Sequence, residues 1–142
     1  MRKKMHLASL IIAVAIIVLE SLPYGAVLNF GEPASDGSIK FLRRTYSYFD
    51  LTPVGYGTSW PLLTAGLSCA LLILIVIALF THKPVLYEGA FAVSFFALLT
   101  SLIPLLSGIA GYSVCGLAIS VLITVEVIIF WAGKRKTQNF TN

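Results

Sequence analysis

Three glutamates, Glu20, Glu88 and Glu126, interrupt runs of otherwise apolar residues. An acid in such a run is costly to place in hydrocarbon, so it commonly marks an ion path, a proton relay or a partnered interior position. At 1.5 Å per residue, Glu20 lies roughly 20 Å along a helix that begins near Leu7. Glu126 lies roughly 9 Å before the end of a helix that closes near Ala132. Glu88 falls one turn inside the same boundary as Glu126, with His6 and His82 on that side. The acids could handle a proton or a cation. A simpler role is pairing with Lys83, Lys134 or snorkelling neighbours, or staying protonated. No His-Glu-x-x-His or comparable spacing favours a metal, so no metal and no cofactor are expected.

A second stretch invites a chemical reading. Val54-Gly55-Tyr56-Gly57 matches four residues of TVGYG, the loop that lines potassium-channel filters with backbone carbonyls. A filter needs a pore helix before it, and the residues available are KFLRRTYSYFDL. That helix would carry Lys40, Arg43 and Arg44 into the membrane, at about 2.5–3.5 kcal/mol for each cation. Pro53 stands where the filter threonine would be, and it restrains Thr52. The segment from Pro53 to Ser59 therefore reads as a turn, with Ser59 placed to cap a helix that has Pro61 in its first turn. No nucleophile elbow, P-loop, dinucleotide fingerprint or metalloprotease motif occurs, so no enzymatic activity is expected.

The elements that would position these residues follow from composition. Of 142 residues, 58% are apolar and only 11% are charged. Soluble domains carry about a quarter charged residues. The apolar excess calls for lipid. The net charge of +4 comes from basic clusters that flank apolar runs, which reads as membrane topology and excludes a nucleic-acid partner. Cys69 and Cys115 lie inside apolar runs and read as small buried hydrophobes.

The expected fold is all-α: a four-transmembrane-helix bundle forming one integral membrane domain over residues 1–142, with a small extracytoplasmic β-hairpin. The spans are expected at about 7–28, 60–80, 85–106 and 112–132, each near the 20 residues a bilayer requires. The short links after the second and third spans make spans two, three and four antiparallel neighbours. With both termini in the cytoplasm, Arg2, Lys3, Lys4, Lys83, Lys134, Arg135 and Lys136 lie inside. Only Lys40, Arg43 and Arg44 lie outside, and this asymmetry sets the orientation at the cell membrane. Trp60 and Trp131 then sit at opposite interfaces. The opening MRKKMH and LASLIIAVAIIVL resemble a signal peptide, but ESLPYGAV offers no clean small-x-small cleavage site, so the first span is expected to stay. Small residues let helices approach closely in lipid. Ala90, Ser94, Ala97 and Ser101, then Gly116, Ser120 and Thr124, and finally Gly66 and Ala70, are the expected packing stripes.

Residues 29–59 form the outer loop. Asp36-Gly37 is a hairpin turn signal between AVLNF and IKFLRRTYSYF. Ala26–Phe30 is expected to pair antiparallel with part of Ile39–Tyr48, in a hairpin lying over the bundle. An isolated hairpin is marginal in water, so it would lean on the bundle or on a partner. Arg43, Arg44, Tyr46, Tyr48, Phe49 and Tyr56 are the candidate recognition residues, because exposed aromatic and arginine side chains favour protein contacts.

ESLPYGAVLNF, from Glu20 to Phe30, and TYSYFDLTP, from Thr45 to Pro53, are similar to segments of uncharacterised small four-span membrane proteins of Gram-positive bacteria. The resemblance spans most of the chain and carries no known site. The long first outer loop also resembles claudins in outline, but their paired loop cysteines are missing here. The functional expectation is a non-enzymatic interaction or accessory subunit, meeting a membrane-protein partner or a second copy through its outer loop. The alternative is a small transporter or an oligomeric cation channel.

Overall fold

The computed structural model describes residues 2–33, 38–51, 59–81, 83–106 and 112–138. Its order is α1 (Arg2–Ser21), β1 (Ala26–Pro33), β2 (Ile39–Tyr46), α2 (Trp60–Thr81), α3 (Pro84–Leu106) and α4 (Val114–Gln138). Among the described residues, three apolar helical segments are long enough to cross a membrane: Trp60–Thr81, Val85–Leu106 and Val114–Gly133. The apolar part of α1, Met5–Ser21, is shorter.

The first expected span, to residue 28, is corrected. Helix α1 stops at Ser21, and Ala26 to Leu28 belong to β1. Pro23 explains the stop, because its ring disfavours helical geometry at the residue before it and it offers no N–H to an earlier carbonyl. Bonds from Leu22 N–H to Leu19 C=O (3.2 Å) and from Gly25 N–H to Leu22 C=O (3.3 Å) then turn the chain.

Helix starts follow local chemistry. The Ser59 carbonyl accepts the Leu63 N–H at 3.0 Å, which places Ser59 at the N-cap of α2. Ser113 caps α4 more completely: its carbonyl takes the Leu117 N–H (3.0 Å) and its hydroxyl takes the Gly116 N–H (2.7 Å).

The helices form a ring in which α1 packs on α2 and α4, and α3 packs on the same two. The Ala90, Ser94, Ala97 and Ser101 stripe is buried throughout, as its spacing predicts. On α4, Gly116 and Ser120 are buried while Thr124 is exposed, because the buried face drifts to Ile119, Ile123 and Glu126. The α2 stripe is a correction: Gly66 is exposed and an added Cβ there would meet nothing within 4 Å. Thr64, Ala65, Ser68, Leu71, Ile75 and Ala78 turn inward instead.

The hairpin is antiparallel, from Ala26 opposite Tyr46 to Pro33 opposite Ile39. Asp36 and Gly37 lie outside the described residues. Its root meets the bundle, where Ala26 is buried with Ile16 and Ile119 and Tyr46 packs against that cluster, and Arg43 reaches the Tyr112 carbonyl ahead of α4. From Ile39 to Thr45, β2 is exposed. The expectation that the hairpin lies over the bundle is therefore corrected. Arg43 follows Ile39 and Phe41 on one face and Lys40 and Arg44 flank Leu42 on the other, so cations interrupt both faces before the root.

Candidate functional site

The interior carries two polar clusters separated by an apolar layer. On α1 the inward residues are His6, Ser9, Ala13, Ile16 and Glu20, one helical face. Ser9 and Glu20 are roughly 16 Å apart along it. Between them lie Ala13 and Ile16, with Leu71, Ile75, Ile119 and Ile123 from α2 and α4.

At the hairpin end, Glu20 is fully buried. Ser68 of α2 donates to its Oε1 at 2.7 Å, and its Oε2 has no partner among the described residues. Its backbone carbonyl accepts the Tyr48 N–H and the Ser47 hydroxyl, each at 2.9 Å. One residue thus ties α1 to α2 and to the segment leaving the hairpin. Nearby, Thr64 bonds Thr100 at 2.9 Å, and Tyr112 bonds the hydroxyl of Ser120, which donates to Ser101 at 3.1 Å.

At the other end, Glu126 is also fully buried. Ser9 donates to its Oε2 at 2.6 Å, leaving Oε1 without a partner among the described residues. His6, buried beside it on α1, is hydrogen-bonded to Tyr87 of α3. Glu88 of α3 is outside the buried interior. It is exposed, because it lies two positions, roughly 200°, from the buried Ala90. The expected likeness of depth between Glu88 and Glu126 thus does not bring them together in the interior. His82 lies outside the described residues. Among the described residues, no group of three or more His, Cys, Asp or Glu side chains could hold a metal ion.

The outer-loop candidates divide. Arg43, Arg44 and Phe49 are exposed, and Tyr46 is half-buried, edge-on to Phe30. Tyr48 is a correction, being only 2% exposed and therefore not a recognition surface. β2 ends at Tyr46, two residues before it. The Ser47 N–H bonds Asp50 Oδ2 (2.8 Å), and the Phe49 N–H bonds Ser47 Oγ (3.1 Å). This tight turn tips Tyr48 inward against Gly25 and Gly116. An added Cβ would stand 2.7 Å from the Tyr48 ring at Gly25 and 3.2 Å from its hydroxyl at Gly116. Burial, then the neighbouring Tyr112, holds the Tyr48 phenol well above its usual range, so it stays a neutral O–H. Tyr56 and the rest of VGYG lie outside the described residues.

No family model, curated protein or solved structure matches this chain. The geometry alone therefore bears on function. Each buried carboxyl has one oxygen fixed by a serine and one buried oxygen without a partner among the described residues. The serines were missed in the sequence, although Ser9 and Glu20 sit eleven residues apart on one face, a three-turn repeat that spacing could have revealed.

Proposed function

We propose that the chain is a non-enzymatic integral membrane subunit of the cell membrane, with four spans and both termini in the cytoplasm, whose hairpin meets a partner outside. The observation that carries the reading is the hairpin itself. β2 leaves Phe41 77% and Ile39 67% exposed, and the strand is exposed from Ile39 to Thr45. Isolated two-stranded ribbons are marginal in water, so a ribbon held out in this way is suited to gaining its remaining contacts from another molecule. Gly31 lies opposite Phe41, and a Cβ at Gly31 would stand 3.1 Å from the Ile39 side chain. Ile39 and Phe41 therefore share one face near the hairpin's far end.

Supporting α1 as a fourth span, it runs beside its neighbours from the Ser9–Glu126 bond to the Ser68–Glu20 bond. It thus runs alongside helices of membrane-crossing length over roughly 16 Å. The basic asymmetry supports the orientation. A photo-crosslinker at position 41, used in native membranes, tests the interaction. A discrete protein adduct, lost when the label moves to the buried position 48, is expected; no adduct at position 41 contradicts the reading.

A second reading is favoured by the two fully buried carboxyls, each with an unpartnered oxygen. It makes the chain a small proton or cation transporter. Purified protein in liposomes would then carry a proton or cation flux that Glu20→Gln or Glu126→Gln abolishes.

A further inference from the structure

We propose that Arg43 and Arg44, near the hairpin root, bind the phosphate groups of anionic phospholipids in the outer leaflet and so hold the hairpin at the membrane surface. The inference rests on the four-span reading above. Its first support is position. The Arg43 guanidinium donates to the Tyr112 carbonyl at 3.3 Å, one residue before the Ser113 cap of α4. The group is thereby level with the end of a membrane-length helix, where hydrocarbon gives way to headgroups. Arg44 follows on the strand and points to the opposite face, so the two charges reach out on both sides of the ribbon.

The second support is charge. Lys40 stands opposite Glu32 across the sheet, and Asp50 accepts the Ser47 N–H within its own turn. Arg43 and Arg44 stand opposite Asn29 and Leu28, neither of which neutralises a cation. Both are exposed. Guanidinium pairs with phosphate through a planar fork of donors, which suits a phosphodiester.

The third support is the company these residues keep. At the same end of the bundle, Tyr24 just beyond α1 is 62% exposed, Leu51 is 82% exposed, and Trp60 at the start of α2 is 38% exposed. Exposed apolar and aromatic groups beside uncompensated cations suit a lipid interface, which satisfies both, better than a soluble phosphate, which satisfies only the second. The lipid also supplies the support that the bundle does not give the ribbon.

The test places the full chain in phosphatidylcholine nanodiscs with rising phosphatidylglycerol and counts retained lipids by native mass spectrometry. Wild type should retain phosphatidylglycerol preferentially. The preference should fall roughly fivefold for Arg44→Gln, and on the order of 30-fold for Arg43→Gln with Arg44→Gln. Lysine at both positions keeps the charge without the fork and should retain only part of it. Arg44→Gln leaves the Tyr112 bond untouched, so it remains informative if the double variant disturbs the hairpin. An unchanged preference in both glutamine variants overturns the proposal. So does full displacement by soluble glycerol phosphate, which would mark a free-phosphate site. So does an acidic protein that crosslinks at position 44 and abolishes lipid retention. A companion probe separates this from the span reading. Ile73→Trp, with Trp60 and Trp131 replaced by Phe, should be quenched by brominated acyl chains. Loss of that quenching overturns both readings, whereas quenching with an unchanged lipid preference overturns only the lipid site.

Discussion

Ser68 of α2 and Glu20 of α1 meet through a 2.7 Å hydrogen bond in the closed interior, and the same glutamate holds Tyr48 through its backbone carbonyl. The other end of α1 repeats the arrangement with the roles exchanged, Ser9 donating to Glu126. Helix α1 is thus fixed at both ends by a serine and a carboxyl contributed from opposite sides of the contact. Hydrogen bonds between membrane helices average about 0.6 kcal/mol, so their main value lies in setting register and not in bulk stability.

Removing the donor alone should cost more than the bond. Ser68→Ala leaves a buried carboxyl with neither oxygen paired, a penalty of about 1–3 kcal/mol. Adding Glu20→Leu removes the stranded group and should recover most of that loss. Thermal unfolding in mild detergent reads both, and an additive double variant would contradict the pairing.

The two glycines Gly116 and Gly66 should behave in opposite ways. A Cβ at Gly116 would stand 3.1 Å from Ser113 Oγ and 3.2 Å from both the Gly25 carbonyl and the Tyr48 hydroxyl. Gly116→Ala should therefore push α4 from the hairpin root and cost about 1–3 kcal/mol. Gly66→Ala meets no neighbour and removes a helix-weakening residue, so it should stabilise by about 0.5–1 kcal/mol. Melting temperatures of the two variants check the contrast.

Two aromatic residues of the outer segment separate folding from recognition. Tyr48→Ala empties a buried site and should cost about 3–5 kcal/mol. Phe41→Ser changes an exposed position and should leave stability within about 0.5 kcal/mol. Partner crosslinking should show the reverse sensitivity, with Phe41→Ser losing the adduct in a protein that still unfolds cooperatively.

Orientation is open to direct labelling. In a chain with Cys69 and Cys115 replaced by Ser, a reagent that cannot cross membranes should reach a cysteine at position 40 in intact cells. It should fail at positions 3 and 137 until the membrane is opened. Labelling of position 137 from outside would reverse the assignment drawn from Lys and Arg placement.

Length, hydropathy and turn chemistry are local properties, and they settled much of the chain before any packing was known. The apolar runs marked α2, α3 and α4 within a few residues, because a membrane-length helix needs only an unbroken apolar stretch. The antiparallel pairing of Ala26–Phe30 with part of Ile39–Tyr48 followed from β-branched and aromatic runs around turn residues, and the first strand in fact runs on to Pro33. Even Ala90, Ser94, Ala97 and Ser101 declared their shared face through spacing. Rotation about each helix axis was another matter. Glu88 and Glu126 look alike in sequence, yet one faces outward and the other accepts a bond from Ser9, because neighbouring helices choose which side is covered. Gly66 looked like a packing residue and is open for the same reason. Tyr48 reads in sequence as an exposed recognition residue, but the turn at Ser47–Asp50 tips it beneath Gly25. Such choices depend on contacts between residues distant in the chain, such as Ser9 with Glu126 and Ser113 with Gly25, and only the folded bundle brings those partners within reach.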